Sequence, residues 1–334
     1  MLISSKSRNF FEGKNVLVAG ASGFVGSNLI DYLSQTGAVI RGTVHEKCNF
    51  RTVSGVEYVN CDLTMREDCE RACADMDYVF MAAANSSGAA VMDKTPLAHL
   101  TPNAIMNTLM LEAAYKLNIK KFCFISSNTV YPVTDFAVSE EDFTGEFFEK
   151  YFIVGWMKRF SELMCQMYAI SISEPMETLV VRPGNLYGPG DKYTWTESKV
   201  IAALIRRAVE RHDPFEVWGD GNDIKDFLYI DDFIEGMIAA FMLPRPFSIF
   251  NVASGVPVTI KKALECILSA ADYADANVIF DHTKPTMIPK RMIDIKKIKN
   301  CTGWEPKVNL SDGISRTVTW YRSQFSDQTP ETNR

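Results

Sequence analysis

The sequence lacks the marks of several classes of protein. None of its 334 residues belongs to an apolar run near the ~18 residues that a membrane-spanning helix requires, and no signal-peptide core precedes the first predicted strand. It has no basic stripe of the kind that binds nucleic acid, and its net charge is −6. We therefore expect a cytoplasmic protein with neither a nucleic acid nor a membrane as its partner.

The cysteines do not form a metal-binding or disulfide pattern. The eight cysteines contain no Cys-x-x-Cys pair, and Cys69 and Cys73 have no His or Cys cluster beside them. We expect no metal site. Cys123 and Cys165 lie in apolar runs that are typical of buried free thiols, and free thiols fit a reducing compartment such as the cytoplasm.

Short apolar runs alternate with helical patterns through the first half of the chain. This alternation predicts an α/β fold with a Rossmann-type, doubly wound parallel sheet. After Pro183 glycine, proline and tryptophan become frequent, which predicts a smaller α/β substrate-binding lobe. We assign residues 1–183 to the dinucleotide-binding domain, completed by about 215–253, residues 184–326 mainly to the second lobe, and 327–334 to a frayed tail.

Three glycines lie between the first predicted strand and the first predicted helix. Gly20, Gly23 and Gly26 would let the turn tighten, let the backbone approach a pyrophosphate, and let the helix pack on the strand. We predict a site for NAD or NADP here. The predicted contacts from this turn are Gly20, Ser22, Gly23, Phe24, Val25 and Gly26.

The Gly-x-x-Gly-x-x-Gly spacing resembles that of the short-chain dehydrogenase/reductase superfamily, and the chain length resembles its extended branch. Asp62 resembles the acid that meets the adenine in this superfamily. The run of alanines resembles the small-residue strand end beneath the cofactor. The resemblance therefore adds cofactor contacts at Asp62, Leu63, Ala82, Ala83, Ala84, Lys158 and Pro183.

The residues at the end of the second predicted strand indicate whether the cofactor is NAD or NADP. Val44 occupies the position at which an acidic residue normally binds the ribose 2′-hydroxyl, and His45 and Lys47 are near it. This favours NADP, with His45 as a contact. The alternative is that these are only exposed polar residues of a loop, so we predict NAD or NADP.

From Phe122 onward the sequence resembles the GDP-sugar branch of the NAD-dependent epimerase/dehydratase family, which includes fucose-synthase-like enzymes. The matching segments occur in the family's order and are residues 126–132, 182–189, 198–206, 217–221, 226–232 and 289–294. The resemblance implies that the second lobe holds a nucleotide-activated sugar as substrate.

The same resemblance assigns the substrate contacts. Lys225 stands where the family usually has arginine, so a point charge would replace a bidentate fork. Trp218 would either cover the base or sugar or only pack against the lobe. For each lysine, the alternative is an exposed surface position without a ligand. The predicted contacts are Asn185, Lys199, Val200, Trp218, Lys225, Lys284 and Arg291.

The superfamily's catalytic set is a tyrosine four residues before a lysine, with a serine or threonine. Lys158 and Ser127 match this set, but Val154 occupies the usual tyrosine position. Thr129, Ser127 or a water linked to Lys158 would then carry the hydroxyl proton. Tyr151 would replace the missing phenol only if the helix began at Val154 or Gly155.

Fucose synthases use a Cys and a His for epimerisation, and this chain has Thr129 and Gly190 at the positions we match to them. Neither residue performs the two-sided proton transfer that epimerisation at C3 and C5 requires. We therefore predict an oxidoreductase acting at the sugar C4 of a GDP-sugar in glycan precursor biosynthesis. The alternatives are a 4-epimerase with retained cofactor and a non-catalytic dinucleotide- and sugar-nucleotide-binding protein.

The resemblance also implies a homodimer, because extended members commonly associate through a four-helix bundle. The helices would be those near 103–117 and 155–168. Met157, Phe160, Met164 and Met167 would supply the apolar surface, with core packing as the alternative role.

Overall fold

The computed structural model describes residues 3–46, 50–85, 96–195, 197–284 and 286–325, without the side chains of residues 96 and 98. Lys47 and the tail predicted at 327–334 lie outside these residues.

The described chain contains strands and helices in alternating order. The strands are β1 Asn15–Ala19, β2 Val39–Val44, β3 Glu57–Asn60, β4 Tyr78–Met81, β5 Lys121–Ile125, β6 Glu177–Pro183, β7 Asn185–Tyr187, β8 Phe215–Trp218, β9 Ile224–Tyr229, β10 Phe247–Val252, β11 Pro257–Thr259 and β12 Val278–Asp281. The helices are α1 Ser5–Phe11, α2 Phe24–Leu33, α3 Arg66–Cys73, α4 Pro96–Lys116, α5 Phe152–Ile170, α6 Val200–Val209, α7 Ile230–Phe241, α8 Ile260–Ala270, α9 Lys296–Thr302 and α10 Leu310–Phe325.

Seven strands form the main sheet in the order β10-β6-β5-β4-β1-β2-β3, and every neighbouring pair is parallel. The strands are short, apolar and buried on both faces, as parallel strands between two helical layers must be. One layer packs α1, α2 and α7 against the sheet, and the other packs α3, α4 and α5. The predicted doubly wound α/β fold is confirmed.

The second lobe contains two small sheets. One has the order β11-β9-β7, and the other pairs β8 with β12. Helices α6, α8 and α10 enclose its apolar core. Within the predicted segment 215–253, β10 extends the main sheet and α7 packs on it, whereas β8 pairs with β12 outside it. Within this segment, β8 and β9 thus belong to the two small sheets, and β10 belongs to the main sheet.

The helix predicted at 103–117 begins earlier, at Pro96, and continues through Pro102. A proline removes one backbone hydrogen bond, and the packing of α4 against α3 and α5 outweighs that loss.

Three further observations concern membrane spans, metal sites and cysteines. Within the described residues, no helix is long and apolar enough to cross a membrane. The same residues contain no cluster of three or more His, Cys, Asp or Glu side chains placed to hold a metal ion. The seven cysteines of the described part are free thiols.

Candidate active site

The glycine turn joins β1 to α2 in a conformation that requires glycine. Gly20 has a φ of +82°, and a Cβ on it would lie 2.6 Å from the Cα of Ala83. A Cβ on Gly26 would lie 2.1 Å from the carbonyl oxygen of Gly20. Gly23, at the N-cap of α2, has no side chain that could compete with a diphosphate for the first N–H groups of the helix.

The remaining predicted cofactor residues of the sheet lie at the same edge. Residues 82–84 directly follow β4, and the N–H of Ala82 donates to Ala19 O over 3.0 Å. Pro183 ends β6, and its carbonyl oxygen accepts from Asn128 Nδ2 at 2.8 Å. Carboxyl ends of parallel strands are where open α/β sheets bind dinucleotides, so this edge fits the cofactor.

The predicted adenine end is built from β2 and the segment after β3. His45 Nε2 lies 4.0 Å from Asp62 Oδ2, and Leu63 beside it is buried. Hydrogen bonds from the hydroxyl and the N–H of Thr64 lower the pKa of Asp62 and keep it an ionised acceptor. The side chain of His45 is exposed, which fits the alternative of a polar loop residue. Its distance from Asp62 also fits a cofactor contact.

Lys158 reaches from α5 to the carboxyl end of β5. Its Nζ donates to Ile125 O at 2.8 Å, two residues before Ser127. Burial lowers the pKa of Lys158 to about 8. Ser127 Oγ accepts from the N–H of Thr129 at 3.1 Å, and this capped turn continues into the short helix Asn128–Val130. The structure therefore brings Lys158 and Ser127 to one strand end.

Thr129 lies against the first turns of α5. Its carbonyl oxygen would be 2.9 Å from a Cβ on Gly155, the residue after Val154. Its buried Oγ1 has no hydrogen-bond partner within the described residues. A buried hydroxyl without a partner is costly unless a ligand or water satisfies it, which fits the predicted role of Thr129 in contacting substrate.

The helix start at Val154 or Gly155, on which the alternative role of Tyr151 depended, is not observed. Helix α5 begins at Phe152, and Tyr151 is its N-cap after the short helix Glu149–Tyr151. Burial raises the pKa of Tyr151 to about 12, and the charged groups that act on its phenol are Arg291 and Asp223. Tyr151 is therefore associated with the second lobe, and the fold-back that would bring it beside Lys158 is excluded.

Lys225 and Arg291 form what we call the cation pair. Neighbouring backbones join them, because the N–H of Arg291 donates to Ile224 O at 2.9 Å. Lys225 Nζ donates to Ile288 O and forms an ion pair with Asp223 at 3.2 Å. Burial lowers the pKa of Lys225, and the positive charge of Arg291 lowers it further. Lys225, at the position where we expected the family to have arginine, is thus buried next to Arg291.

Arg291 is only 1% exposed. Its Nη1 donates to Pro132 O at 2.9 Å and its Nη2 to Tyr131 O at 3.0 Å, while its buried Nε has no partner in the described part of the chain. No ion pair joins it to a carboxylate among these residues, and burial lowers its pKa to about 10. A buried guanidinium in this state would be stabilised by an anion.

The other predicted substrate residues fall into separate groups. The ring of Trp218 is half-exposed, its Nε1 donates to Glu216, and Lys284 Nζ lies 6.0 Å from its centre. Lys199 is the N-cap of α6, directly before Val200, and its Nζ lies 5.8 Å from the ring of Phe24. Asn185 begins β7. No contact within the described residues joins Trp218 and Lys284 to the cation pair.

A buried network beside Lys158 was missed at the sequence level. Glu162 accepts from Ser126 Oγ at 2.6 Å, from Arg159 at 3.0 Å, and from Arg182 through two hydrogen bonds of 2.8 and 2.7 Å. Glu162 stands four residues after Lys158 and so on the same helix face. That spacing was the available signal, but a glutamate in a helix is more often solvated.

The sheet order and the strand–glycine turn–helix unit define a class of dinucleotide-binding α/β proteins. Residues 16–253 match the NAD dependent epimerase/dehydratase family. Because this match covers more than half of the chain, the chain belongs to that family, and it is an enzyme. The predicted family is confirmed.

Similar proteins act on nucleotide sugars. The probable GDP-L-fucose synthase 1 of Oryza sativa subsp. japonica is 30% identical, over 93% of this chain and 92% of that protein. The GDP-mannose 3,5-epimerase 1 of Oryza sativa subsp. indica is 28% identical, over 95% of this chain and 84% of that protein. The UDP-glucose 4-epimerase of Thermotoga maritima, solved with UDP-glucose, has a TM-score of 0.84 at 25% identity, covering 93% of this chain and 99% of that chain.

Proposed function

We propose that this enzyme is an NAD(P)-dependent oxidoreductase that acts at the sugar C4 of a nucleotide-activated sugar, a GDP-sugar, in cytoplasmic glycan precursor biosynthesis. Two regions support the proposal. The first is the glycine turn with Lys158 and Ser127, and the second is the cation pair of the second lobe. Free thiols in the described chain fit the reducing compartment.

The observation that carries the proposal is the state of Arg291. A fully buried guanidinium without a carboxylate is unfavourable unless an anion enters its site. Lys225 adds a second buried positive charge beside it. A diphosphate has the negative charge and the acceptor oxygens that Arg291 requires, and Lys225, which is already paired with Asp223, would add a further donor beside it. A GDP-sugar supplies that diphosphate, and the similarity to GDP-sugar enzymes supports guanine as the base.

When bound, NAD or NADP supplies the hydride chemistry at the sugar carbon. The protein residues orient the groups and manage the proton. Lys158 would hold the nicotinamide ribose, and Ser127, whose Oγ accepts from Thr129 N–H, keeps its own hydrogen for the substrate oxygen. Thr129, Ser127 or a water linked to Lys158 would carry the hydroxyl proton in place of a phenol at Val154. Because Gly190 has no side chain, proton transfer at C3 and C5 is not part of the proposal.

We infer that NADP is the preferred cofactor. The support is the end of β2, where Val44 supplies no carboxylate to repel a 2′-phosphate and His45 lies 4.0 Å from Asp62. Steady-state kinetics with both cofactors test this, and a higher kcat/KM with NAD would contradict it.

A 4-epimerase with retained cofactor is the second candidate, favoured by the similarity to the Thermotoga maritima enzyme. The two candidates differ in redox balance, because an epimerase regenerates its cofactor within each turnover. Consumption of added cofactor supports the oxidoreductase, whereas a C4-inverted sugar without net cofactor consumption supports the epimerase.

The proposed function is tested by assaying the purified protein with GDP-, UDP- and dTDP-sugars and both cofactors. We expect turnover with a GDP-sugar, and a Val154→Tyr variant should raise kcat by about 10²-fold, the usual contribution of a positioned acid–base group. Val154→Phe, which fills similar space without a hydroxyl, is the matched control and should give no gain. If neither the natural protein nor Val154→Tyr turns over any sugar, a non-catalytic binding protein is the better description.

We also propose that two copies associate through α5. Phe160 and Met167 are 51% and 56% exposed, whereas Met157 and Met164 are 4% and 8% exposed and belong to the packed interior. The exposed apolar residues of this helix follow one face and are Phe152, Trp156, Phe160, Leu163, Met167 and Ile170. Such a continuous stripe is typical of an interface.

Sedimentation equilibrium tests the dimer. Phe160→Glu should shift the protein to a monomer, because a carboxylate would be buried without a partner at the centre of the stripe. A natural protein that stays monomeric at micromolar concentration would contradict the association.

A further inference from the structure

Glu162 occupies the centre of a buried network beside the proposed catalytic residues. Its side chain is fully buried, and both carboxylate oxygens accept hydrogen bonds. Burial alone would raise its pKa, but the hydrogen bonds from Arg182, Ser126 and Arg159 and the positive charge of Arg182 together outweigh burial and lower the pKa, so the group is ionised. Glu162 is thus a fixed negative charge, one helical turn from Lys158.

One arm of the network leads to Ser127. Ser126 Oγ donates to Glu162 Oε1 at 2.6 Å, and the N–H of Ser126 donates to Val181 O at 2.8 Å. Both the side chain and the backbone of the residue before Ser127 are therefore held. The position of the Ser127 hydroxyl depends on both contacts, because β5 ends at Ile125 and Ser126 is the residue that joins this strand to Ser127.

A second arm leads toward the cation pair. Arg182 Nη1 donates to Tyr131 Oη at 2.9 Å, and Tyr131 Oη donates to Asn251 Oδ1 at 2.6 Å. The backbone oxygen of Tyr131 accepts from Arg291 at 3.0 Å. Glu162 is thus linked to Arg182, Arg182 to the side chain of Tyr131, and Arg291 to the backbone of the same tyrosine.

We propose that Glu162 is a positioning residue that, through Ser126 and Arg182, holds the Ser127–Lys158 pair in register with the anion site at Arg291. This inference rests on the proposed function, since it takes Ser127 and Lys158 as the catalytic pair. Glu162 itself touches neither substrate nor cofactor in this arrangement. Its effect is on geometry and on the charge of Lys158.

The charged groups around Lys158 are few within the described residues. Glu162 is the one charge that acts directly on its amine, and it favours the ammonium form. Strand β5 contributes only the Ile125 carbonyl and the ring of Phe124, 4.8 Å from Nζ. Arg159 and Arg182 lie on the carboxylate of Glu162. Removing the negative charge of Glu162 therefore favours the neutral amine of Lys158.

The first test is Ser126→Ala, with Ser161→Ala as its matched control. Ser161 is also buried, lies next to Glu162 in sequence, and hydrogen-bonds to Asn107 at 2.9 Å, outside the network. We expect both variants to lose similar thermal stability. Only Ser126→Ala should lower kcat, by about tenfold, with KM changed less than about twofold, because it loosens the residue before Ser127. Equal kcat values in the two variants would overturn the proposal.

The second test measures Lys158 directly and does not require turnover. The pH dependence of trinitrobenzenesulfonate labelling at Lys158, followed by peptide mass spectrometry, is compared between the natural protein and Glu162→Gln. We expect the midpoint to fall by about one pH unit in Glu162→Gln. An unchanged midpoint in a folded variant would contradict the proposal, and if Glu162→Gln does not fold, the Ser126→Ala comparison decides.

The two proposals fail in different ways. If the natural protein turns over no nucleotide sugar while the labelling midpoint shifts, the proposed function fails and the coupling of Glu162 to Lys158 stands. If the natural protein turns over a sugar while Ser126→Ala matches Ser161→Ala, the proposed function stands and the role of Glu162 fails.

Discussion

Arg182 and Arg291 are both 1% exposed, and both donate hydrogen bonds to Tyr131, yet their electrostatic surroundings differ. Arg182 donates two hydrogen bonds to the carboxylate of Glu162. Among the residues that the structure describes, Arg291 donates only to carbonyl oxygens, and its Nε has no partner. Burial opposes the charge of both groups. For Arg182 the hydrogen bonds and charges of Glu162 and Tyr131 together outweigh burial and raise its pKa, but for Arg291 burial lowers the pKa to about 10.

The charge of Arg182 is already paired within the fold, whereas we expect the charge of Arg291 to be paired by a bound ligand. A paired buried charge is satisfied before any ligand arrives, so its loss is expected to damage stability. A buried charge paired only with carbonyl dipoles gains its counterion on binding, so its loss is expected to damage affinity. Two measurements test this division, and a third tests whether Lys158 acts as a cation.

The largest effect is expected for Arg182→Met. Removing one partner of a buried ion pair leaves Glu162 with only Arg159 as a charged partner and should reduce the free energy of unfolding by about 3–5 kcal/mol. Urea unfolding followed by circular dichroism measures this change. The control is Lys262→Met, which removes an exposed pair with Glu265 and should leave the midpoint almost unchanged. Similar urea midpoints for Arg182→Met and Lys262→Met would contradict a structural role for the Arg182–Glu162 pair.

A smaller effect on folding and a clear effect on binding are expected for Arg291→Met. The affinity for a GDP-sugar, measured by calorimetry, should fall by about 10–100-fold because the diphosphate loses charge-assisted hydrogen bonds. Stability should fall less than in Arg182→Met. Lys296→Met, which changes a nearby exposed lysine, is the control and should bind normally. An Arg291→Met protein with unchanged affinity would show that the anion site lies elsewhere.

The smallest effect concerns pH. Burial lowers the pKa of Lys158 to about 8, so its ammonium is present below pH 8 and is lost as the pH rises above it. We expect kcat to fall above pH 8, approaching tenfold per unit. In Lys158→Arg this alkaline limb should disappear, although kcat is lower throughout, because a guanidinium stays charged. A natural profile that stays flat to pH 10 would argue against Lys158 as the essential cation.

The cofactor end could be predicted from sequence because its constraints are local. Gly20 must adopt a positive φ, Gly26 must leave space for the Gly20 carbonyl, and β1 must be apolar, and each requirement limits residue type at one position. The same reasoning identified the strand alternation and therefore the doubly wound sheet. It left open the start of α5, and with it the role of Tyr151, because helix ends depend on the packing of flanking turns.

The sequence alone determined the parallel sheet, the glycine turn, the family and the residues that carry charge. Which of those charges are already paired depends on the packed structure, because Glu162 and Arg182 are brought together across α5 and β6, whereas no carboxylate of the described residues pairs with Arg291. The packed structure also decided that Met157 and Met164 face the interior while Phe160 and Met167 face outward. The physical reason is that burial and pairing belong to the packed arrangement of several segments, whereas turn and strand preferences belong to neighbouring residues.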